Sequence, residues 1–252
     1  MGGQVADHGY ITNGDAKLKV TQVKKTPKGY FVHTCELLDG TIHVGDEVTA
    51  SVDTQRRMAI CRNHTATHLL QKALREVLGE HVHQAGSYQD DKLTHFDFTH
   101  FSAVTPEELR KVEDRVNEKI FEALPVTIQN LPIEEAKKMG AMALFGEKYG
   151  SVVRVVDAGG WSTEFCESSV AAGIRRIEAT TAYGVLSLLD ERTEQLAKTA
   201  VALKANNLKD APARAEALTA ELKETNKQLD ILKAEMASAK IDGLFENAAD
   251  ID

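Results

Sequence analysis

Cysteine is scarce in this chain, and long apolar runs are missing. Only three of the 252 residues are cysteine, at 35, 61 and 166. That is too few, and too uneven a spacing, for a disulfide framework, and it points to a reducing compartment. Cys35 and Cys61 fall in strand-like segments and read as ordinary thiols. No stretch is apolar enough to cross a bilayer and no signal peptide opens the chain, so the expected setting is cytoplasmic, with no membrane partner. Basic excess is absent as well. A formal net charge of -8 excludes a uniformly basic nucleic-acid-binding surface, and any RNA contact must use a local patch. The glycines at Gly2-Gly3 lack both the strand-loop-helix setting and the Lys-Ser/Thr ending of a phosphate loop, and are read as a backbone turn. No histidine follows His100.

What is present divides into three stretches. A chain of this length buries a substantial core and is read as one main domain plus an appendage. Residues 1–61 hold short alternating runs around Ala16–Val23, Tyr30–Cys35 and Glu47–Val52. Turn signals at Asn13-Gly14, Pro27-Lys28-Gly29, Asp39-Gly40 and Gly45-Asp46 separate them. This pattern predicts a small antiparallel β-barrel or sheet. Residues 62–182 alternate helices and strands and predict an α+β domain with one concave site. Thr105 should cap a helix that starts at Pro106, a short helix should stop at Gly140, and Ser151–Val156 should pair with Trp161–Cys166 as a hairpin. Residues 183–252 turn to Leu, Ala, Lys and Glu. Leu189, Leu196 and Leu203 recur every seven residues. Asn206–Pro212 breaks the pattern, and Leu218, Leu222, Thr225, Leu229, Leu232 and Met236 resume it. Two helices packed along these seams predict an antiparallel coiled-coil hairpin.

The sharpest feature is Arg62-Asn63-His64-Thr65-Ala66-Thr67-His68-Leu69-Leu70. Histidines four apart share one helical face, where they can bind one metal ion or serve as surface and capping residues. Asn63 reads as the N-cap, which sets both rings in the first turn. The run Leu69, Leu70, Ala73, Leu74, Val77, Leu78 predicts a buried face that anchors the helix.

These residues resemble the first zinc motif of the alanyl-tRNA synthetase editing domain, relatives of which occur in freestanding alanyl-tRNA editing proteins and in threonyl-tRNA synthetase. Gly2–Asp7, Gln84–Ser87, Phe96–Phe101, Gly140–Tyr149, Ser162–Cys166 and Ala172–Ala179 agree with that family in its order, so the match runs to about Thr181. The resemblance implies a fragment carrying an α+β zinc-binding editing domain and a helical continuation, with the ATP- and alanine-using ligase domain outside it. It implies Zn2+ held by His64, His68 and Cys166, with Gln84 and Thr65 as catalytic candidates. Thr67 and Asp97 become candidates near the amino acid, and Arg175 and Arg176 near the acceptor-end phosphates. The implied reaction hydrolyses the ester of tRNA(Ala) mischarged with serine or glycine. Such a second sieve is needed because one missing methyl gives only about 1–3 kcal/mol of discrimination, and an added hydroxyl is also hard to reject. A catalytically inactive tRNA-binding fragment, or a structural piece that forms a homo-oligomer through the coiled coil, are the competing readings.

In one place the chain departs from the family. There the cysteine is followed by Gly-Gly-Thr-His, whose histidine is the fourth ligand, whereas Cys166 runs into Glu167-Ser168-Ser169. Either this loop is absent, leaving three protein ligands plus water or no zinc, or the sequence joins the flanks of an omitted stretch. The good fit of both flanks favours the second.

Overall fold

The computed structural model describes residues 3–141, 150–166 and 174–246. Contacts divide the chain into two compact units, residues 1–185 and 186–252. The first unit opens with four antiparallel strands, β1 (Gly9–Asn13), β2 (Ala16–Lys25), β3 (Phe31–Asp39) and β4 (Thr49–Val52), in the order β3-β2-β1-β4. The Asn13-Gly14 turn joins β1 to β2, and the Asn13 side-chain oxygen accepts from the Ala16 N–H at 3.0 Å. The expected barrel does not close: β3 and β4 form the two edges and do not pair. β4 has only four residues, and the chain then turns into a helix at Asp53, so no strand remains to reach β3. Phe31 and Val32 on β3 consequently stay exposed.

That helix, α1 (Thr54–Leu78), runs for 25 residues. Asn63 is therefore not its N-cap. Asp53 is, accepting from the Arg56 N–H at 3.0 Å. Gln55, Arg56, Arg57, Met58 and Ala59 favour helix and carry it through Cys61, which is helical rather than extended. Asn63 sits mid-helix and buried. Its Nδ2 donates to the Asp90 carbonyl at 2.8 Å and its Oδ1 accepts from the Thr181 hydroxyl at 2.7 Å. Asn63→Ala should strand both partners and cost about 1–3 kcal/mol, read as a lower urea midpoint with an unchanged m value.

Beyond α1 come β5 (Gln84–Gln89), β6 (Thr94–Thr99), α2 (Pro106–Phe121), β7 (Val126–Pro132), α3 (Ile133–Lys138), β8 (Val152–Ala158), β9 (Ser162–Phe165) and β10 (Ile174–Ala179). They build two antiparallel sheets, β10-β6-β5 and β7-β8-β9. One face of α1 seats on the first, where Leu70, Ala73 and Leu74 pack with Val82, Phe96, Phe98 and, from α2, Val112. α2 starts as expected, with Thr105 and Glu108 forming a reciprocal capping box ahead of Pro106. α3 stops before Gly140 at φ 74°, and Gly159 and Gly160, both at positive φ, turn β8 into β9. A second small core of Ala136, Ala141, Val153, Val155 and Phe165 backs that hairpin. At the amino end the Gly3 (φ 77°) carbonyl accepts from the Gln89 N–H and the Gln89 carbonyl accepts from the Val5 N–H, and Gly3 leaves no room for a Cβ, which would lie 2.5 Å from the Gln89 side chain.

The second unit contains the rest of α4 (Tyr183–Ala202) and α5 (Ala211–Glu246), separated by a 3-10 turn at Leu208–Asp210 that Asn207 caps. The break expected near 206–212 is there. The leucine seam is not buried, however: Leu189, Leu196, Leu222, Leu229, Leu232 and Met236 are 44–61% exposed. No described helix is long and apolar enough to cross a membrane.

Candidate metal centre

His64 and His68 project from the middle turns of α1, held by tertiary packing rather than by a cap. They are 9% and 6% exposed. Cys166 follows β9 and is equally buried. The neighbouring Phe165 fills the second core, while the Cys166 N–H donates to the Arg154 carbonyl at 2.8 Å and extends the β8–β9 ladder. The Cys166 Sγ lies 3.3 Å from His64 Nε2, and the two imidazoles meet edge to face at 4.9 Å. One donor atom from each of the three residues falls within 4.8 Å of the others. Residues a hundred positions apart thus converge on one point.

The arrangement fits a metal ion. Among the described residues His68 Nε2 is buried without a hydrogen-bond partner, a costly state for a ring nitrogen unless something else coordinates it. Its other nitrogen, Nδ1, lies 2.8 Å from Glu164 Oε2, and Glu164 is fully buried and also accepts from the Ser162 hydroxyl at 3.2 Å. A carboxylate behind one ring nitrogen, with the other nitrogen turned to the cluster, is how metal-binding histidines are oriented. Two imidazoles and a thiolate are the donor set zinc favours, though they do not single it out.

The electrostatics separate the two histidines. Burial, with the neighbouring charges of His68 and Arg154, holds His64 down at about 3. Burial pulls His68 down too, but the Cys166 sulfur and the Glu164 carboxylate outweigh it and hold His68 up at about 9. His64 is therefore neutral at pH 7, and His68 must release a proton when a metal binds. Metal affinity should rise about ten-fold per pH unit at least, between roughly pH 5 and 8, measured by zinc competition titration. A pH-independent affinity would remove this coupling. In the metal-free protein His68 stabilises the fold fully below pH 6.5, and that contribution fades as pH rises through about 9.

The remaining candidates sit on α1 and on the first sheet. Thr65 is partly buried on α1 between the two ligands. Thr67 faces the first sheet: its hydroxyl donates to the Asn63 carbonyl at 2.9 Å and meets Thr94 Oγ1 at 2.9 Å, and Gln89 reaches it from β5. Gln84 is buried at the start of β5, opposite Phe98 and beside a bulge. Asp97 and Arg176 form a two-pronged pair at 2.7 and 2.8 Å, and the guanidinium holds the Asp97 carboxyl below its usual range. Arg175 Nε donates to the Ser102 carbonyl at 3.0 Å. Asp97, Gln84 and both arginines thus lie on sheet β10-β6-β5, while the metal ligands lie on α1 and at the end of β9. Met142–Tyr149 and Glu167–Gly173, where the family's glycine-rich segment and the expected fourth ligand fall, lie outside the described residues.

Two residues at the centre were not singled out from the sequence. Glu164 was findable, since strand alternation puts it on the same side as Cys166 two positions on. Arg154 was not; it is one more polar residue in a strand, yet its Nε is buried without a partner among the described residues and its charge reaches His64.

Residues 1–56 match the family model for class II (A) tRNA synthetases, so the chain carries part of a class II aminoacyl-tRNA synthetase. It is homologous over its whole length to a segment of the alanine–tRNA ligases. The protein of Acetivibrio thermocellus is 47% identical over all of this chain, that of Shouchella clausii 44% over 99% of it, and that of Bacillus subtilis 42% over all of it. The chain spans about 30% of the length of these relatives. The first alignment runs over 269 positions against 252 residues, so at least seventeen positions of that relative have no counterpart here.

Proposed function

We propose that this chain is the editing part of an alanine–tRNA ligase, hydrolysing the aminoacyl ester of tRNA(Ala) mischarged with serine or glycine. The observation that carries the reading is the convergence of His64, His68 and Cys166, backed by Glu164, in a chain homologous to these ligases along its whole length. Water adds to the ester carbonyl, the bond to the terminal ribose oxygen breaks, and that oxygen takes up a proton. Bound zinc supplies a Lewis acid for the water or a fixed point for the amino acid. Gln84 and Thr65 position the ester, Thr67 holds α1 to the first sheet, and Arg154, whose charge reaches His64, offers a cation for the charge that develops on the carbonyl oxygen. Asp97 fixes Arg176, and Arg175 meets phosphate. We place the relatives' extra positions after Cys166, where the family carries Gly-Gly-Thr-His and this chain runs into Glu167.

Hydrolysis of Ser-tRNA(Ala) and Gly-tRNA(Ala) by the zinc-loaded chain, with Ala-tRNA(Ala) spared, is the expected result. Equal rates for all three esters, or none above the buffer rate, would end the proposal. The exposed leucines of α4 and α5 favour a second, compatible role in pairing chains. Sedimentation at a single-chain mass of 27.6 kDa at all concentrations would exclude it.

A further inference from the structure

We propose that Phe101, stacked on His81, is a platform for a base of an unpaired RNA 3′ end. The observation is a built set of aromatic rings away from the metal ligands, formed where the loop after β6 meets the segment between α1 and β5. His81 Nε2 and His100 Nδ1 share a hydrogen bond at 2.9 Å, with the rings 21° from parallel. Phe101 lies over His81 at 4.6 Å between centroids and 20° from parallel. The backbone under this set is fixed, because the Thr99 hydroxyl donates to the His81 carbonyl at 3.2 Å and accepts from the His83 N–H at 3.1 Å. One face of the Phe101 ring is thereby occupied, yet the residue is 86% exposed. Leaving a phenyl ring so open gains nothing from burial, while its free face is ready for another flat ring.

The nature of that ring follows from the neighbouring charge. Arg175 is anchored through Nε to the carbonyl of Ser102, one residue past Phe101, and the residue is exposed. An open aromatic face with an arginine held one residue away is the pairing that single-stranded nucleic acid uses: the base stacks and the cation meets its phosphate. In a chain of net charge -8 such a local combination is what phosphate attraction requires. Phe121 is equally exposed but no ring or cation contact involves it among the described residues, so it marks the ordinary exposed phenylalanine and serves as the control.

This inference rests on the tRNA reading above, and its test separates the two. An acceptor-stem RNA hairpin carrying 2-aminopurine in its unpaired 3′ end is titrated with the zinc-loaded chain. The wild-type chain and Phe121→Ala should bind it and quench its fluorescence. Phe101→Ala should bind about ten-fold to a hundred-fold more weakly without the quench, the scale of one base–aromatic stack, and Phe101→Trp should restore both. With Phe101 this exposed, the alanine variant should keep the wild-type urea midpoint, which shows that it folds. Equal binding and quenching by wild type and Phe101→Ala would overturn the platform and leave the tRNA reading standing. Failure of the wild-type chain to bind the hairpin at all would overturn both.

Discussion

Replacing Cys166 by alanine is expected to remove bound zinc from the chain and lower Ser-tRNA(Ala) hydrolysis by about a hundred-fold or more. The expectation follows from counting donors. His64, His68 and Cys166 are the residues whose donor atoms converge among the described residues, and losing the thiolate leaves two imidazoles, too few to hold zinc against a chelator. Loss of an outer-shell partner already costs roughly 10–100-fold, so loss of a ligand should cost more. The fold should survive the change. Cys166 is small and its backbone N–H keeps the bond to Arg154, so removing one sulfur atom costs on the order of 1 kcal/mol. Zinc per chain by elemental analysis, beside the deacylation rate, checks both halves. A Cys166→Ala chain that keeps its zinc and its rate would remove Cys166 from the centre.

Glu164→Gln should give the second largest effect, a fall of about 10–100-fold in zinc affinity with the ligands untouched. The amide keeps the shape, but its single oxygen can accept from His68 Nδ1 only by leaving the NH2 to donate to the Ser162 hydroxyl, and the negative charge is gone. Two consequences follow with opposite signs. The metal loses a carboxylate that makes His68 a better donor. The metal-free chain loses part of what holds the His68 proton up at about 9, so less proton competition opposes binding. At pH 8 the first effect should dominate, whereas below pH 6 the second narrows the difference between variant and wild type. Zinc competition titrations at both pH values read this convergence. A constant ratio across pH would show that Glu164 only shapes the pocket.

Much of this centre was legible in the sequence because its chemistry is local. The four-residue spacing of His64 and His68 fixes their common face whatever the helix's length, and the Thr105 cap ahead of Pro106 is written in adjacent residues. The errors arose where longer-range forces decide. Asn63 has the chemistry of a cap, but Asp53 and a run of good helix formers extend α1 ten residues earlier. Asn63 then satisfies its amide through Asp90 and Thr181, partners 27 and 118 positions away. The barrel fails for the same kind of reason: strand patterns do not say whether two edges meet, and the early start of α1 takes away the chain that would close it. The heptad leucines signal helix correctly, yet spacing alone does not supply a second apolar face for them to pack on.

The measurement that tests the central claim most directly is cobalt substitution of the metal-free chain, followed by visible and near-ultraviolet absorption. One Co2+ per chain should bind with the d–d bands of a four-coordinate site and a thiolate charge-transfer band that vanishes in Cys166→Ser, and zinc should displace it stoichiometrically. A chain that binds no cobalt, or a spectrum unchanged by Cys166→Ser and His64→Ala, would contradict the metal centre and the editing chemistry built on it.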